Sequence, residues 1–199
     1  MLRAFIAIDL PETALETLDR IQRRLVSRLA TGAIRWSSVK SMHLTLKFLG
    51  DVEESRIADV SRAFRNSTQS TPAFKLALGG LGCFPSFEKP SVVWIGVSGE
   101  LSALHALFER IDAAVRPLLP DAKSEQFRPH LTLGRVKPNA RKGAPRLGAL
   151  LKSEQLDALT AGCEWQVNCV TLYKSVLTPR APVHTPLERV DLNTQPPHA

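Results

Sequence analysis

Two copies of the tetrapeptide His-Leu-Thr-Leu hold the residues of this chain that are best suited to chemistry. The first copy begins at His43 and the second at His130, so each half of the 199-residue sequence contains one. In a β-strand, side chains two positions apart point to the same face, so each histidine shares a face with its threonine, Thr45 or Thr132. The leucines between them point to the opposite face, toward a core. Two imidazoles and two hydroxyls can therefore meet in one groove.

This set of groups suits acid–base catalysis at a phosphodiester. In-line attack of water on phosphorus needs one group that removes the water proton and one that protonates the leaving oxygen, and two imidazoles with pKa values near neutrality meet both needs. The threonine hydroxyls, together with a cation, can hydrogen-bond the other phosphate oxygens. A single His-x-Thr is more often structural, but the repeat uses two of only five histidines and favours a functional pair. The residues alone leave open which histidine is the acid.

Basic residues near the motifs are candidates for phosphate binding. Strict alternation places Lys47 on the histidine face of the first strand and Phe48, with the leucines, in the core. Arg135 is one residue out of phase with His130, so it reaches the groove only if the strand twists or ends there. Arg128, two residues before the second motif, is a further candidate.

Two phenylalanines between the motifs are open to two interpretations. The loop from Cys83 to Pro90 holds Phe84 and Phe87 without a periodic pattern of burial. Their rings can stack on a nucleobase or fill gaps in the core. We favour the core role for both rings and keep both as candidate RNA-binding residues.

Composition indicates an ordinary globular protein with a basic surface. The net charge of +7 and the pI near 9.7 favour a polyanionic partner. No stretch approaches the roughly 20 apolar residues of a membrane helix, so we expect a cytoplasmic protein without membrane contact. The three cysteines form no Cys-x-x-Cys pair, and no carboxylate motif accompanies the histidines. We therefore expect no disulfide, no metal site and no cofactor.

The spacing of apolar residues predicts strands and helices in alternation, with antiparallel pairing. In this interpretation Gly79-Gly80 ends a strand, and Asp51 with Glu54 forms a capping box before the second helix. Strands are predicted at residues 2–10, 34–36, 42–50, 74–78, 91–97, 129–137, 165–173 and 184–192, and helices at 11–32, 51–65, 100–118 and 147–160.

Segments along most of the chain resemble those of one known group of enzymes. The chain is similar to the 2H phosphoesterase superfamily, and within it to the bacterial and archaeal RNA 2′,3′-cyclic phosphodiesterases, formerly called 2′-5′ RNA ligases. The segments that carry the resemblance are residues 3–11, 34–36, 43–50, 84–87, 93–97 and 127–135.

The resemblance implies an α+β fold with two lobes. Each lobe would hold a mainly antiparallel sheet, with helices on the outer faces, and a pseudo-twofold axis would relate the two His-x-Thr strands across a groove. It also implies that His43 donates a proton to the leaving oxygen and that His130 accepts one from water, without a metal. Opening of the ring at the 3′ oxygen would leave a 2′-phosphomonoester on RNA or on a cyclic nucleotide. We expect a monomer with one domain at residues 1–192 and a flexible tail at 193–199.

One departure from the family pattern and three alternatives remain. The family commonly has a tyrosine where this chain has His184. This histidine could replace the tyrosine hydroxyl as a hydrogen-bond donor, but we interpret it as a surface residue. The chain could instead be a module that binds RNA ends without turnover, or a metal-dependent hydrolase with His43 and His130 as ligands. It could also be a phosphodiesterase or ligase that acts on another cyclic or 2′,5′-linked nucleotide.

Overall fold

Strands and helices alternate along the chain in the computed structural model, which describes residues 1–29, 32–119, 126–176, 178 and 182–193. The strands are β1 (Leu2–Asp9), β2 (Ile34–Trp36), β3 (His43–Val52), β4 (Phe74–Phe84), β5 (Val92–Gly99), β6 (His130–Val136), β7 (Glu164–Val167), β8 (Cys169–Val176) and β9 (Val183–Asp191). The helices are α1 (Glu12–Leu29), α2 (Ile57–Thr68), α3 (Leu101–Val115), α4 (Ala144–Lys152) and α5 (Asp157–Thr160).

The strands form two sheets, and each sheet contains one of the two motifs. One sheet has the order β3-β1-β8-β9 and the other has the order β2-β6-β5-β4-β7. Every pair of neighbouring strands in these two sheets is antiparallel. The first motif lies on β3, an edge strand, and the second on β6, an internal strand. The α+β fold with two antiparallel sheets is therefore confirmed.

Apolar alternation holds the motif strands in the core, as the sequence predicts. Leu44 and Leu46 of β3 are 0% and 4% exposed, and Leu131 and Leu133 of β6 are both 0% exposed. The apolar stripe of α1 is buried as well, through Leu18, Ile21, Leu25 and Leu29. Burial of these side chains anchors the strands, so the histidine face of each strand is left for the groove.

β3 contains an irregularity that the sequence analysis did not predict. β1 pairs Ala7 with Thr45 and then Ile6 with Lys47, so Leu46 is an extra residue in β3. Such a β-bulge shifts the alternation by one residue, so the side chains of Lys47 and Phe48 point to the faces opposite to those expected. A second extra residue, Leu49, follows in the same strand.

The second motif strand has the same bulge at the equivalent position. β5 pairs Trp94 with Thr132 and then Val93 with Gly134, so Leu133 is the extra residue of β6. In both strands the bulge is the third residue after the histidine, and the first six residues have the same order of buried and accessible positions. The two motifs are thus equivalent in backbone structure as well as in sequence.

The bulges change the faces on which Lys47, Phe48 and Arg135 lie. Lys47 is only 7% exposed, whereas Phe48 is 56% exposed. The prediction that Phe48 is a core residue was therefore wrong, and the side chain of Lys47, predicted to face the groove with His43, is largely buried. In the second motif the same shift brings Arg135 into phase with the histidine, and its side chain is exposed.

Three element boundaries also differ from the sequence analysis. β4 continues through Gly79 and Gly80 to Phe84, with an irregular pairing between Leu78 and Leu81. The predicted strand 165–173 is two strands in different sheets, since β7 pairs with β4 while β8 pairs with β1 and β9. The predicted capping box does not form, because Asp51 belongs to β3 and α2 has no side-chain cap.

The end of the described chain is attached to the body of the protein. The backbone of Asn193 accepts a hydrogen bond from Ala73 and donates one to Thr71. Of the tail expected at 193–199, the remaining residues, 194–199, lie outside the described part.

Candidate active site

Both motif histidines are held by the same hydrogen bond to the backbone. Nδ1 of His43 lies 3.0 Å from the carbonyl oxygen of Ser41, and Nδ1 of His130 lies 2.6 Å from that of Arg128. A carbonyl oxygen only accepts, so Nδ1 carries the hydrogen in each ring. In the neutral ring Nε2 is then the acceptor. Each histidine is thus oriented for proton transfer through Nε2.

His43 lies in an aromatic environment made by strands of its own sheet. Its ring stacks on Phe5 of β1 at 4.7 Å between ring centroids, and the ring of His184 stands edge-on to it at 5.4 Å. Burial lowers the pKa of His43 below 6.5, and the nearby His184 lowers it further. The hydrogen bond to Ser41 and the carboxylate of Asp9 act in the opposite direction.

Asp9 is held beside His43 by two hydroxyl groups of β8. It pairs with His43 across β1 and β3, and its carboxylate accepts hydrogen bonds from the Tyr173 hydroxyl at 2.6 Å and the Thr171 hydroxyl at 3.1 Å. Burial and the adjacent carboxylate raise the pKa of Tyr173, so this hydroxyl remains a donor. A fixed negative charge therefore stands near the first histidine.

His130 also has aromatic neighbours, but its charged neighbour is an arginine and not an aspartate. The rings of Phe84 and Trp94 lie 4.8 and 6.2 Å from it. Burial lowers the pKa of His130 below 6.5, and the positive charge of Arg135 lowers it further, whereas the hydrogen bond to Arg128 raises it.

A glycine makes room for the tryptophan of this cluster. A Cβ atom at Gly82 of β4 would lie 2.1 Å from the ring of Trp94. Only glycine lets the indole lie flat across the neighbouring strand, where it contacts Phe84 at 5.1 Å between ring centroids.

A cavity of about 730 Å³ connects the two lobes at the motifs. Its volume is in the range of small-molecule sites. β3 and β6 contact each other, and the cavity wall includes Thr45 from the first motif and His130 from the second. His43 and Thr132 are not part of this wall, although both side chains are partly exposed. Other residues of the wall are Phe48, Phe84, Phe108, Phe127 and Arg128.

The predicted phosphate-binding cations have different positions. Arg128 is exposed, borders this cavity and an adjacent one of about 480 Å³, and donates to the side-chain oxygen of Gln126. Lys47 borders the large cavity, but its Nζ lies 2.7 Å from Asp112 of α3 and both side chains are 7% exposed. Asp112 also forms an ion pair with Arg116. The charge of Lys47 is therefore matched within the protein.

The two candidate phenylalanines lie in different environments. Phe84 lies against His130 and borders both cavities. Phe87 packs against the hydrophobic core, and a Cβ atom at Gly148 of α4 would collide with its carbonyl oxygen. Phe87 is thus a core residue, whereas Phe84 lies where its ring can contact a ligand in the groove.

Sequence reasoning missed several residues around the histidines. Phe5 and Asp9 alternate on β1 with buried apolar residues, a pattern that could have placed them on the groove face. Trp94 was assigned only to an apolar strand. His184 was interpreted as a surface residue, but it contacts both Phe5 and His43. No local pattern indicates that contact, because β9 is the far edge of the sheet.

The described residues contain neither a metal-binding cluster nor a membrane-spanning helix. Within the described ranges, no group of three or more His, Cys, Asp or Glu side chains could hold a metal ion. Among the same residues, no helix is long and apolar enough to cross a membrane.

Comparison with known proteins gives consistent matches. The model of the LigT-like phosphoesterase family matches residues 8–94. The RNA 2′,3′-cyclic phosphodiesterase of Methanothermobacter thermautotrophicus is 31% identical over 94% of this chain and 96% of its own. The crystal structure of TT0787 of Thermus thermophilus has a TM-score of 0.77 at 26% identity and covers 98% of this chain and 100% of that one. E. coli LigT complexed with 3′-AMP has a TM-score of 0.70 at 27% identity, over 98% and 99% of the two chains. Sequence and structure together show that the chain belongs to the LigT-like phosphoesterase family.

Proposed function

We propose that this protein hydrolyses the 2′,3′-cyclic phosphate at RNA ends to a 2′-phosphomonoester, without a metal ion. The observation that carries the proposal is the pair of equivalent motif strands, each with a histidine oriented through Nδ1 and a threonine on the same face. The relatives named RNA 2′,3′-cyclic phosphodiesterase support the reaction, and the complex of E. coli LigT with 3′-AMP supports a nucleotide as ligand.

The two histidines have different charged neighbours. At His43, His184 disfavours the charged form and Asp9 favours it, with His184 the stronger of the two, and at His130 Arg135 disfavours the charged form. The near-identical motifs leave open which histidine is the acid, and the family resemblance supports His43 as the proton donor and His130 as the acceptor.

The reaction then proceeds by one displacement at phosphorus. Nε2 of neutral His130 removes a proton from water as the water oxygen bonds to phosphorus. The bond between phosphorus and the 3′ oxygen breaks, and Nε2–H of protonated His43 gives its proton to that oxygen. The product carries a 2′-phosphomonoester and a 3′ hydroxyl, and proton exchange with solvent restores both histidines.

Groups along the groove suit the remaining parts of the substrate. The hydroxyls of Thr45 and Thr132 are positioned by their strands to hydrogen-bond the non-bridging oxygens, and Arg128 and Arg135 supply positive charge. Lys47 is a weaker candidate because Asp112 already pairs with it.

The aromatic side chains of the cavity wall suit the nucleobase. Phe48 and Phe84 both border the large cavity, one from each lobe. Stacking on such rings binds bases of RNA without requiring a particular sequence.

Both motifs come from one chain, so we propose a monomer as the active form. The three cysteines are free thiols in the described structure, which suits the reducing cytoplasm.

The direct test is incubation with an RNA oligonucleotide that ends in a 2′,3′-cyclic phosphate, with and without EDTA. We expect the product to gain one water and to become sensitive to phosphatase, at equal rates in both samples. His43→Ala and His130→Ala should each lose at least about 100-fold in kcat, the lower range for general acid–base catalysis, with unchanged Tm. Binding without conversion would favour the RNA-end-binding module, and loss in EDTA that zinc or manganese restores would favour the metal-dependent hydrolase.

A further inference from the structure

A third imidazole stands beside His43 and has no role in the mechanism above. His184 belongs to β9, and two strands separate β9 from β3 in the sheet. Its ring nevertheless lies 5.4 Å from that of His43, with an angle of 89° between the planes. Phe5 of β1 contacts both rings, stacked on His43 at 4.7 Å and edge-on to His184 at 4.9 Å. The three rings form one cluster on the groove face.

Packing alone does not explain a histidine at this position. Nδ1 of His184 is buried and has no hydrogen-bond partner among the described residues. A buried polar atom without a partner costs free energy, whereas a phenyl ring would fill the same space without that cost. The cost suggests that the imidazole is retained for its ability to carry charge next to His43.

Two other titratable groups, Tyr173 and Asp9, lie in the cluster around His184 and His43. Tyr173 of β8 lies 6.4 Å away between ring centroids, and it stays protonated because burial and Asp9 raise its pKa. Asp9 itself is bound by Tyr173 and favours the charged form of His43. Burial lowers the pKa of His184. Other charged residues of these strands are Arg3 of β1, in the same row of the sheet as His184, Lys174 of β8, and Glu188 and Arg189 of β9, and Glu188 pairs with Arg65 of α2.

We propose that His184 is a positioning residue of the active site, which holds the ring of His43 against Phe5 and whose positive charge opposes that of His43. The inference rests on the proposed function, in which His43 protonates the leaving oxygen. Two imidazoles in contact titrate as a coupled pair, so the first proton to enter makes the second harder to add. His43 is then a stronger acid than it would be alone, and it releases its proton more readily as the bond to the 3′ oxygen breaks.

Two variants separate the charge of His184 from its shape. His184→Phe keeps a ring against Phe5 and His43 but removes the charge, and His184→Gln removes both ring and charge. The matched control is His105→Phe, an exposed histidine of α3 whose ring is edge-on to Phe127 at 5.3 Å. Each protein is studied by NMR titration of the His43 ring without substrate, and by the pH dependence of kcat/KM.

We expect both His184 variants to move the titration of His43, and the alkaline limb of kcat/KM, upward by about half a pH unit. That is roughly the repulsion between two charges about 5 Å apart in a water-like dielectric. Removal of a like charge raises the pKa of His43, so the donor stays protonated to higher pH. The control should leave both curves unchanged.

The proposal is overturned if His184→Phe leaves the titration of His43 where it is in the wild type. It is equally overturned if only His184→Gln changes the profile, because the ring would then act through packing alone. A wild-type protein that does not hydrolyse the cyclic phosphate contradicts the proposed function instead, since the NMR titration measures the coupling without turnover.

Discussion

Single residues make the two motifs chemically different. His43 and His130 have the same hydrogen bond at Nδ1 and the same following residues, yet one has Asp9 and His184 as neighbours and the other has Arg135. Burial is the largest influence on both rings and lowers both pKa values. The charge effects are weaker than burial, and they come from different neighbours at the two rings.

From these pKa directions we expect a bell-shaped pH profile of kcat/KM with its maximum below pH 6.5. Below the pKa of His130 the base is protonated and the rate falls, and above the pKa of His43 the donor is lost and the rate falls again. Both values lie below 6.5 because burial lowers them. The measurement is kcat/KM from about pH 4.5 to 9.5 at constant ionic strength, which reports the free enzyme.

His130→Ala gives the internal check on that profile. Its residual rate should lose the acidic limb and keep the alkaline one. Loss of the alkaline limb would mean that donor and acceptor are exchanged, and a flat wild-type profile would exclude the mechanism.

Arg135→Ala should move the acidic limb to higher pH and raise KM. Removal of the positive charge raises the pKa of His130, so the base becomes protonated at a higher pH, and the phosphate loses a cation. The control is Arg23→Ala on α1, where the arginine is exposed and pairs with Asp19. An acidic limb that does not move would show that the charge of Arg135 does not reach His130.

At the scale of elements, one backbone irregularity repeated in β3 and β6 shapes the groove. The bulges at Leu46 and Leu133 turn Phe48 and Arg135 toward the histidine side. They also turn the intervening residues, Lys47 and Gly134, inward. The two motifs therefore present the same backbone with an aromatic side chain in one lobe and a cation in the other.

Gly134→Ala should destabilise the protein because the bulge presses this residue against β2. A Cβ atom there would lie 2.6 Å from the side chain of Ile34 and 3.0 Å from the carbonyl oxygen of Arg35. We expect a loss of about 1–3 kcal/mol in the free energy of unfolding, measured with urea. The control is Gly80→Ala, where a Cβ atom meets nothing within 4 Å. Equal effects of the two substitutions would contradict the close approach of β2 and β6.

Asp112→Asn should lower the free energy of unfolding, because Asp112 of α3 pairs with Lys47 of β3. The carboxylate pairs with Lys47 at 2.7 Å, and both side chains are 7% exposed, so its loss leaves a buried ammonium without its counter-charge. Such losses cost about 3–5 kcal/mol, whereas an exposed pair contributes about 0–1 kcal/mol. Urea unfolding of Asp112→Asn is compared with that of Asp59→Asn, whose carboxylate pairs with Arg62 at the surface.

The double substitution Lys47→Met with Asp112→Leu tests the same interpretation. Replacement of both charges by apolar groups should recover most of the stability. A double variant as unstable as Asp112→Asn would show that shape, and not charge, determines the cost.

At the scale of the whole molecule, the protein is basic, and residues from both motifs line one cavity between the two sheets. The net charge is +7. Positive charge attracts RNA over distances longer than any contact, and salt screens that attraction.

The dependence of activity on salt should therefore grow with the length of the substrate. We expect kcat/KM for an RNA oligonucleotide with a cyclic end to fall steeply between about 50 and 200 mM salt, because cations that neutralise phosphates release counterions. A cyclic mononucleotide has one phosphate and serves as the control, with a much weaker dependence. Equal slopes for both substrates would show that only the terminal phosphate is bound.

Much of this molecule follows from local sequence patterns. Period-two alternation places His43 with Thr45, and His130 with Thr132, opposite buried leucines, and helical spacing places the apolar stripe of α1. These predictions are reliable because each depends only on residues within a few positions of one another.

Other features depend on residues that are distant in the chain. The split of 165–173 between two sheets, and the continuation of β4 through Gly79 and Gly80, are decided by which strands lie alongside. No local propensity contains that information.

By itself the sequence determined the two motifs, the strands that carry them, the leucines that anchor those strands and the family to which the chain is similar. Only the tertiary structure shows that Lys47 is buried in an ion pair and that Phe48 is exposed. It also brings Phe5, Asp9 and His184 close to the first histidine. The physical reason is that a bulge is a mismatch between two paired strands, and that a charge changes a pKa only through neighbours that the fold brings close. Such neighbours can be more than a hundred residues away, as His184 is from His43.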